Sequence, residues 1–269
     1  MTVIVGILCD GGVALAADRQ STHSAFVPLA RPSLVQVSTS PVTKVIAIGS
    51  DLLLGTSGSP AIGNQYEALI KGHCANFPKR PYEFATRKLR DQIKEDITKN
   101  CAPAKQLAEV IGSATAYSQC TCECLMAANF KDGIRLIQIQ QLGAFDISSQ
   151  VSPLRVIGSG QFQADPFVRF LKNTFWPNRL PTVDEGVLAA TWAVEYAIEN
   201  GAPGVGFGTN AYSLKKAGGK VRAEEVGEDQ LKGHRDFIRA ARERLRELSD
   251  LRHATPSDAG QVPTMPNGK

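Results

Sequence analysis

The chain has no apolar run approaching the roughly 20 residues that a bilayer-spanning helix needs, so no membrane segment is expected. It also has no basic stretch interleaved with aromatics. Its 30 basic and 26 acidic residues nearly cancel, leaving +4, which sets nucleic acid aside as a partner. No Lys or Arg precedes Arg19, and Asp10, Gly11 and Gly12 interrupt the first apolar stretch. A secretory signal needs a basic start and an unbroken apolar core, so VALAAD at 13–18 does not read as a cleavage site. A cytoplasmic location is expected. Six cysteines include no CxxC pair, and the four histidines do not fall at ligand spacing, so no metal or cofactor is expected. Cys120, Cys122 and Cys124 alternate, which on a strand puts them on one face as reduced, mostly buried thiols.

What is present suffices for a core. Hydrophobic residues make up 43% of 269 and charged residues 21%, ordinary proportions for one large domain or two small ones. Residues 3–9 and 13–18 are short apolar runs around Asp10-Gly11-Gly12, a hairpin signal. A polar, Pro-containing stretch runs to Thr43, and KVIAIG and LLLGTSG give two more strands. From Ser59 the period changes to 3.6: Ile62, Tyr66, Leu69 and Ile70 fit one helix. Tyr82, Leu89, Ile93 and Ile97 fit a second, over roughly 82–99, beyond Pro78 and Pro81. CECLMAANF and IRLIQIQQL flank the turn Lys131-Asp132-Gly133, and LRVIGSG leads into a helix carrying Phe167, Phe170, Leu171 and Phe175. Thr182 and Glu185 form a capping box for another helix. GVGFGTNAYSL and GKVRAEEV close the pattern as strands. Blocks of strands and helices in this order predict an α+β fold, with two antiparallel sheets face to face between helix layers. Residues 228–252 read as a charged amphipathic helix, and the Pro/Gly-rich end as disordered. The expected division is 2–226, 227–253 and 254–269.

Two constellations offer nucleophilic chemistry. GTSGSP at 55–60 is like the nucleophile segment of trypsin-like proteases, with Ser57 as candidate. Those enzymes place a histidine, an aspartate and most of two barrels before the serine, whereas only 56 residues and His23 precede Ser57 here. The other candidate is Thr2, which becomes terminal once Met1 is trimmed. Its hydroxyl would attack, and its own α-amine, with an ordinary pKa near ~7.7–8.0, would take the proton. Such a site needs a nearby cation, an acid to hold that cation, and a backbone donor for the oxyanion. Lys44 opens a strand, Asp18 ends one, and Gly58 sits in a glycine-flanked turn before a helix.

These residues carry a resemblance. GILCDGGVALAADRQST resembles the opening of proteasome β-type subunits and of HslV, and the likeness continues through TKVIAIG, GTSG, RVIGSGQFQADPFVRFL and the TVDEG helix start. It covers roughly residues 2–225. It implies the four-layer αββα fold of N-terminal nucleophile hydrolases, most like a stand-alone bacterial proteasome homologue, and a threonine endopeptidase assembled in stacked homo-oligomeric rings. Polypeptide or unfolded protein would be the substrate, with an ATPase unfoldase as a candidate partner. By the same resemblance Thr2 matches the nucleophile, Asp18 the orienting acid, Lys44 the cation, Gly58 the oxyanion amide and Ser159 the hydroxyl beside the amine. Ser21, Ile46 and Thr56 match the specificity pocket, implying a medium-sized, apolar-tolerant site without a charged anchor. Asn200 and Pro203 stand where proteasome subunits carry an Asp and a Ser, which leaves two alternatives open: a ring subunit with weak or no activity acting as scaffold or chamber, and an amidohydrolase of small amides.

Overall fold

The central strands of the two large sheets are short apolar runs. In the computed structural model, which describes residues 2–27, 33–111 and 121–253, β1 (Ile4–Cys9) and β2 (Gly12–Asp18) form a hairpin. Gly11 supplies the positive φ, +73°, at the turn. β2 pairs with β11 (Thr209–Ala217), β11 with β12 (Lys220–Glu225), and β1 with β10 (Leu154–Ile157), giving the order β10-β1-β2-β11-β12. The other large sheet has the order β5-β6-β7-β8-β9, from β5 (Val45–Ile48), β6 (Leu52–Gly58), β7 (Cys122–Phe130), β8 (Gly133–Ile139) and β9 (Phe145–Ile147). All pairings are antiparallel.

Period-2 alternation sends each strand's side chains to two faces. Ile4, Val13 and Leu15 of one sheet meet Leu53, Leu125 and Leu136 of the other in a single buried cluster. The alternate residues Leu52, Leu54 and Met126 pack with Tyr66 and Ile70 of α1 (Pro60–Cys74) and with Leu89 and Ile93 of α2 (Tyr82–Ile111). Each fully buried Leu or Ile contributes about 1.5–3 kcal/mol over its exposed state. α3 (Gln161–Phe175) and α4 (Val183–Glu199) pack on one another, and α4 packs on β1, β2 and β11. Gly186 allows that last approach: a Cβ there would lie 2.4 Å from Cys9 Sγ.

The expectation of two sheets in a four-layer sandwich is corrected. The described residues form three antiparallel sheets, of five, two and five strands, with five α-helices. The additional sheet is a ribbon of β3 (Gln20–Val27) and β4 (Ser33–Pro41), where the sequence shows only a polar stretch. Runs such as QSTHSAFV and VQVSTS are rich in Ser, Thr and Val, which suit an extended backbone without marking a core face. β9 was likewise not anticipated, and α2 runs to Ile111 rather than ending near 99.

The capping box is formed: Thr182 Oγ1 accepts from the Glu185 N–H at 3.3 Å, and the Glu185 carboxylate accepts from the Thr182 N–H at 2.7 Å. Cys9, Cys74, Cys122 and Cys124 are free thiols, and Cys122 and Cys124 share one buried face with their sulfurs 4.0 Å apart. Cys120 lies outside the described residues, as do Met1 and the segment 254–269. The chain divides into two units, residues 1–227 and 228–269. The described part of the second is the helix α5 (Glu228–His253), with internal ion pairs such as Arg235–Glu228 and Arg244–Glu247. Among the described residues no helix is long and apolar enough to cross a membrane.

Candidate active site

Thr2 lies one residue before the buried β1, separated from it by the buried Val3, and is itself 6% exposed. Its backbone is held on both sides. The Thr2 nitrogen donates to Ser159 Oγ at 3.1 Å, and the Thr2 carbonyl accepts from the Gly160 N–H at 3.1 Å. Both contacts come from the turn between β10 and α3, brought alongside by the β1–β10 pairing, in which Ile4 faces Ile157. Gly158 opens that turn at φ +93°, and a Cβ there would sit 2.2 Å from the Thr2 carbonyl oxygen. No other residue type fits this approach.

Asp18 ends β2 with no exposure, a costly place for a carboxylate unless every oxygen is satisfied. It is satisfied from four directions. The N–H groups of Val3, Gln20 and Gly206 donate at 2.8, 3.1 and 3.2 Å, and Lys44 Nζ reaches both carboxylate oxygens at 2.8 and 2.9 Å. Lys44 is also buried. Burial pulls its ammonium below the usual lysine range, and the neighbouring Asp18 charge works against that pull. The Gly206 contact comes from a loop in which Phe207 holds φ +58°, the one non-glycine residue with positive φ among those described.

Thr2, Lys44 and Gly58 line one cavity of about 250 Å³, and Ser21, Ile46 and Thr56 line it too. Gly58 closes β6 at φ +117°, where a Cβ would lie 2.6 Å from the Thr121 carbonyl oxygen, so glycine is required there as well. Sequence reasoning missed several wall residues: Val42, Cys122, and Asn64 and Glu67 from α1. The helical period carried the last two, since positions 60, 64 and 67 share a face. Glu67 places a charge in the cavity wall, where the sequence suggested none, and pairs with Lys71 one turn on.

Two further positions are placed clearly. The exposed Asn200 does not turn toward Thr2; its side-chain amide donates to the Tyr196 carbonyl at 2.7 Å, within its own helix end. Pro203 contributes its backbone carbonyl, which accepts from Ser159 Oγ at 3.2 Å. Among the described residues no group of three or more His, Cys, Asp or Glu side chains is placed to hold a metal ion.

No family model and no curated protein matches the chain. Solved structures do. The chain is similar to Anbu (ancestral beta-subunit) from Yersinia bercovieri, with a TM-score of 0.58, 16% identity, and 97% of this chain and 99% of that one covered. It is similar also to Anbu from Hyphomicrobium sp. strain MC1, with a TM-score of 0.59 and 15% identity over the same shares of both chains. A Gly-1 mutant of Anbu from that strain gives 0.59 and 14%. The expected likeness to proteasome β-type subunits and HslV is thereby corrected: these neighbours belong to a proteasome-like family distinct from both. At these identities the likeness is one of fold.

Proposed function

We propose that the chain is a threonine-type endopeptidase, in which Thr2 becomes the N-terminal nucleophile once Met1 is removed. The observation that carries the reading is the convergence on Thr2: its nitrogen lies 3.1 Å from Ser159 Oγ, and Lys44, paired with the buried Asp18, lines the same cavity. While Met1 is attached, the Thr2 nitrogen is an amide and cannot act as a base. Its removal creates an amine that can.

In the cycle that follows, the amine takes the Thr2 hydroxyl proton, directly or through a water. The Lys44 ammonium, fixed by Asp18, favours the developing alkoxide and keeps a second positive charge off the amine. The alkoxide adds to the substrate carbonyl, and the Gly58 amide holds the resulting oxyanion. Collapse of that intermediate transfers the proton to the leaving amine and leaves an acyl ester on Thr2. Water, deprotonated by the same amine, then hydrolyses the ester. Ser159 Oγ accepts from the Thr2 nitrogen and donates a hydrogen bond to the Pro203 carbonyl, which orients it against the amine. Substrates are polypeptides or unfolded proteins, and copies of the chain form stacked homo-oligomeric rings that enclose the sites.

Intact mass tests the first step, and a peptide epoxyketone tests the second. Loss of Met1 and an adduct on Thr2 are expected, with no adduct on Thr2→Ala. Retained Met1, or an unmodified wild-type protein under conditions that label an active threonine protease, would sink the reading. One observation favours a second one, a ring subunit of weak activity serving as scaffold or chamber. The Asn200 side chain is engaged in its own helix end and Pro203 offers only a carbonyl, so neither presents a side-chain hydrogen bond to the amine. A third, hydrolysis of small amides through the same Thr2, predicts that these are turned over better than peptides.

A further inference from the structure

α1 carries within its body a glycine that neither backbone nor packing calls for. Gly63 is buried, along with Ile62, Tyr66 and Ile70 of the same helix. Its φ is not positive, unlike those of Gly58 and Gly158, so any residue could adopt it. A Cβ there would lie 3.4 Å from Thr56 Oγ1 and 3.7 Å from Cys122 Sγ, both ordinary van der Waals distances. On Gly186, by contrast, it would meet a sulfur at 2.4 Å. Alanine therefore fits at 63, and it suits a helix interior better than glycine does. The missing side chain weakens the helix and needs another reason.

The cavity beside Thr2 supplies one. Leu54, Thr56 and Cys122 all line it, and Leu54 and Cys122, at 0% and 1% exposed, form its inner end. Leu54 and Cys122 pack in the cluster beneath α1 and α2, and Thr56 shares the parity of Leu54 on β6. Three α1 residues around Gly63, namely Pro60, Asn64 and Glu67, line the same cavity. The empty position at 63 thus faces two of the cavity's own walls, Thr56 and Cys122. In the β6–β7 ladder Cys122 stands opposite Gly58, whose amide is the candidate oxyanion donor.

We propose that Gly63 and Cys122 set the depth of the substrate pocket, so that it selects an aliphatic side chain of leucine or methionine size on the residue whose carbonyl is attacked. The proposal rests on the peptidase reading above. A substrate carbonyl held at the Gly58 amide starts its own side chain beside Cys122, and the space left open at 63 receives the tip. Leu54 and Ile46 give that tip apolar contact, and the Cys122 thiol closes the end without a charge. The glycine thus trades helix stability for pocket volume.

The test compares full-length wild type, G63A and C122A on fluorogenic peptides that differ only in the residue before the cleaved bond, Ala, Leu or Phe. A peptide epoxyketone ending in leucine reports labelling at Thr2. The wild type should prefer Leu to Ala. One methyl more or less in a fitted apolar pocket changes discrimination by about 10-fold or more, so G63A should lower the Leu-to-Ala ratio of kcat/KM by roughly 10-fold. Its Tm should hold or rise, which separates the effect from a folding defect. C122A should act the other way, deepening the end and raising the Phe-to-Leu ratio by a similar factor. An unchanged Leu-to-Ala ratio in G63A, a uniform loss on all three peptides, or a wild type that prefers Ala overturns the proposal. Should G63A fail to fold, C122A decides, and an unchanged Phe-to-Leu ratio in it overturns the proposal. Failure of the wild type itself to label overturns the peptidase reading and the proposal with it, whereas a labelled wild type whose ratios G63A shares overturns the proposal alone.

Discussion

Asp18 and Lys44, 26 residues apart in sequence, meet as a buried ion pair in which Nζ lies 2.8 and 2.9 Å from the two carboxylate oxygens. The pair joins the end of β2 to the segment leading into β5, and so links the two large sheets beside Thr2. Lys44→Met should therefore do two separable things. It strands a buried carboxylate, at a cost of about 3–5 kcal/mol, with the lower end expected because three backbone N–H groups still serve Asp18. It should also reduce peptide turnover by about 100-fold or more, as loss of an electrostatic stabiliser does. Adding Asp18→Asn should recover part of the stability and none of the turnover. Urea denaturation and steady-state kinetics on the three proteins check both; a double variant with restored activity would remove Lys44 from the mechanism.

Glu67 is the one carboxylate among the described residues lining the cavity. Lys71 answers its charge from the same helix, and both side chains are partly exposed. A partly exposed pair is worth about 0.2–1 kcal/mol, so Lys71→Gln should raise kcat/KM for basic over apolar residues at the cleaved position by roughly 2- to 5-fold. Glu67→Gln should lower the same ratio. Matched fluorogenic peptides differing in that residue provide the measurement. Equal ratios in all three proteins would show that Glu67 does not face the bound side chain.

Asn200 bears on whether the late loop serves catalysis. Its side chain is engaged with the Tyr196 carbonyl, so Asn200→Ala should cost at most about 1 kcal/mol of stability, in the range of a lost local hydrogen bond, and leave kcat within twofold. Thermal unfolding and turnover of the variant test this. A large fall in kcat at unchanged stability would place the Asn200 amide in the working site after all.

Among the residues around Thr2, Asp18 and Lys44 flank apolar runs and Gly58 ends one, so the pattern offers them as candidates. Ser159 enters only through the resemblance, and Gly158 is not singled out by the sequence. The misses have a common physical origin. β3 and β4 are rich in Ser and Thr and carry no apolar stripe, so nothing in their period separates a ribbon from a loop. α2 passes through Asn100-Cys101-Ala102-Pro103, a segment that ordinarily ends a helix. Glu67 was hidden by its polar type on a helix recognised by its buried face.

Gly186 and Cys9 set how closely α4 approaches the β1–β2 hairpin. A Cβ at 186 would lie 2.4 Å from Cys9 Sγ and 3.2 Å from Ala14 Cβ, so Gly186→Ala should destabilise by about 1–3 kcal/mol through overpacking. Removing the sulfur should relieve it. The double variant Gly186→Ala with Cys9→Ala should lie closer to the wild type than the sum of the singles, since residues in direct contact do not add. Additive melting shifts would mean that the backbone of α4, not the thiol, bears the strain. Cys9 itself, its thiol pushed up to about 12 by burial, should resist alkylation in the folded protein longer than the half-buried Cys74.

Glu185 closes the capping box of α4 and also receives both terminal nitrogens of Arg179, each at 2.7 Å. The Arg179 contact, with the Thr182 N–H adding to it, holds the carboxyl down at about 2, against 4.5 for the ordinary group. Because the folded protein binds this proton less readily than the unfolded chain, the stabilisation is complete above pH 4.5 and is lost as the pH falls toward about 2. The side chain is 31% exposed and its partner 53%, so solvent screening keeps the effect near the ~1 kcal/mol of a good cap rather than that of a buried pair. Glu185→Gln should accordingly be less stable than the wild type at pH 7 by about that amount, and the difference should shrink toward zero across the acid window. Parallel urea titrations at several pH values measure it. A gap between the two proteins that stayed constant with pH would assign the stabilisation to packing at the helix start and not to the carboxylate.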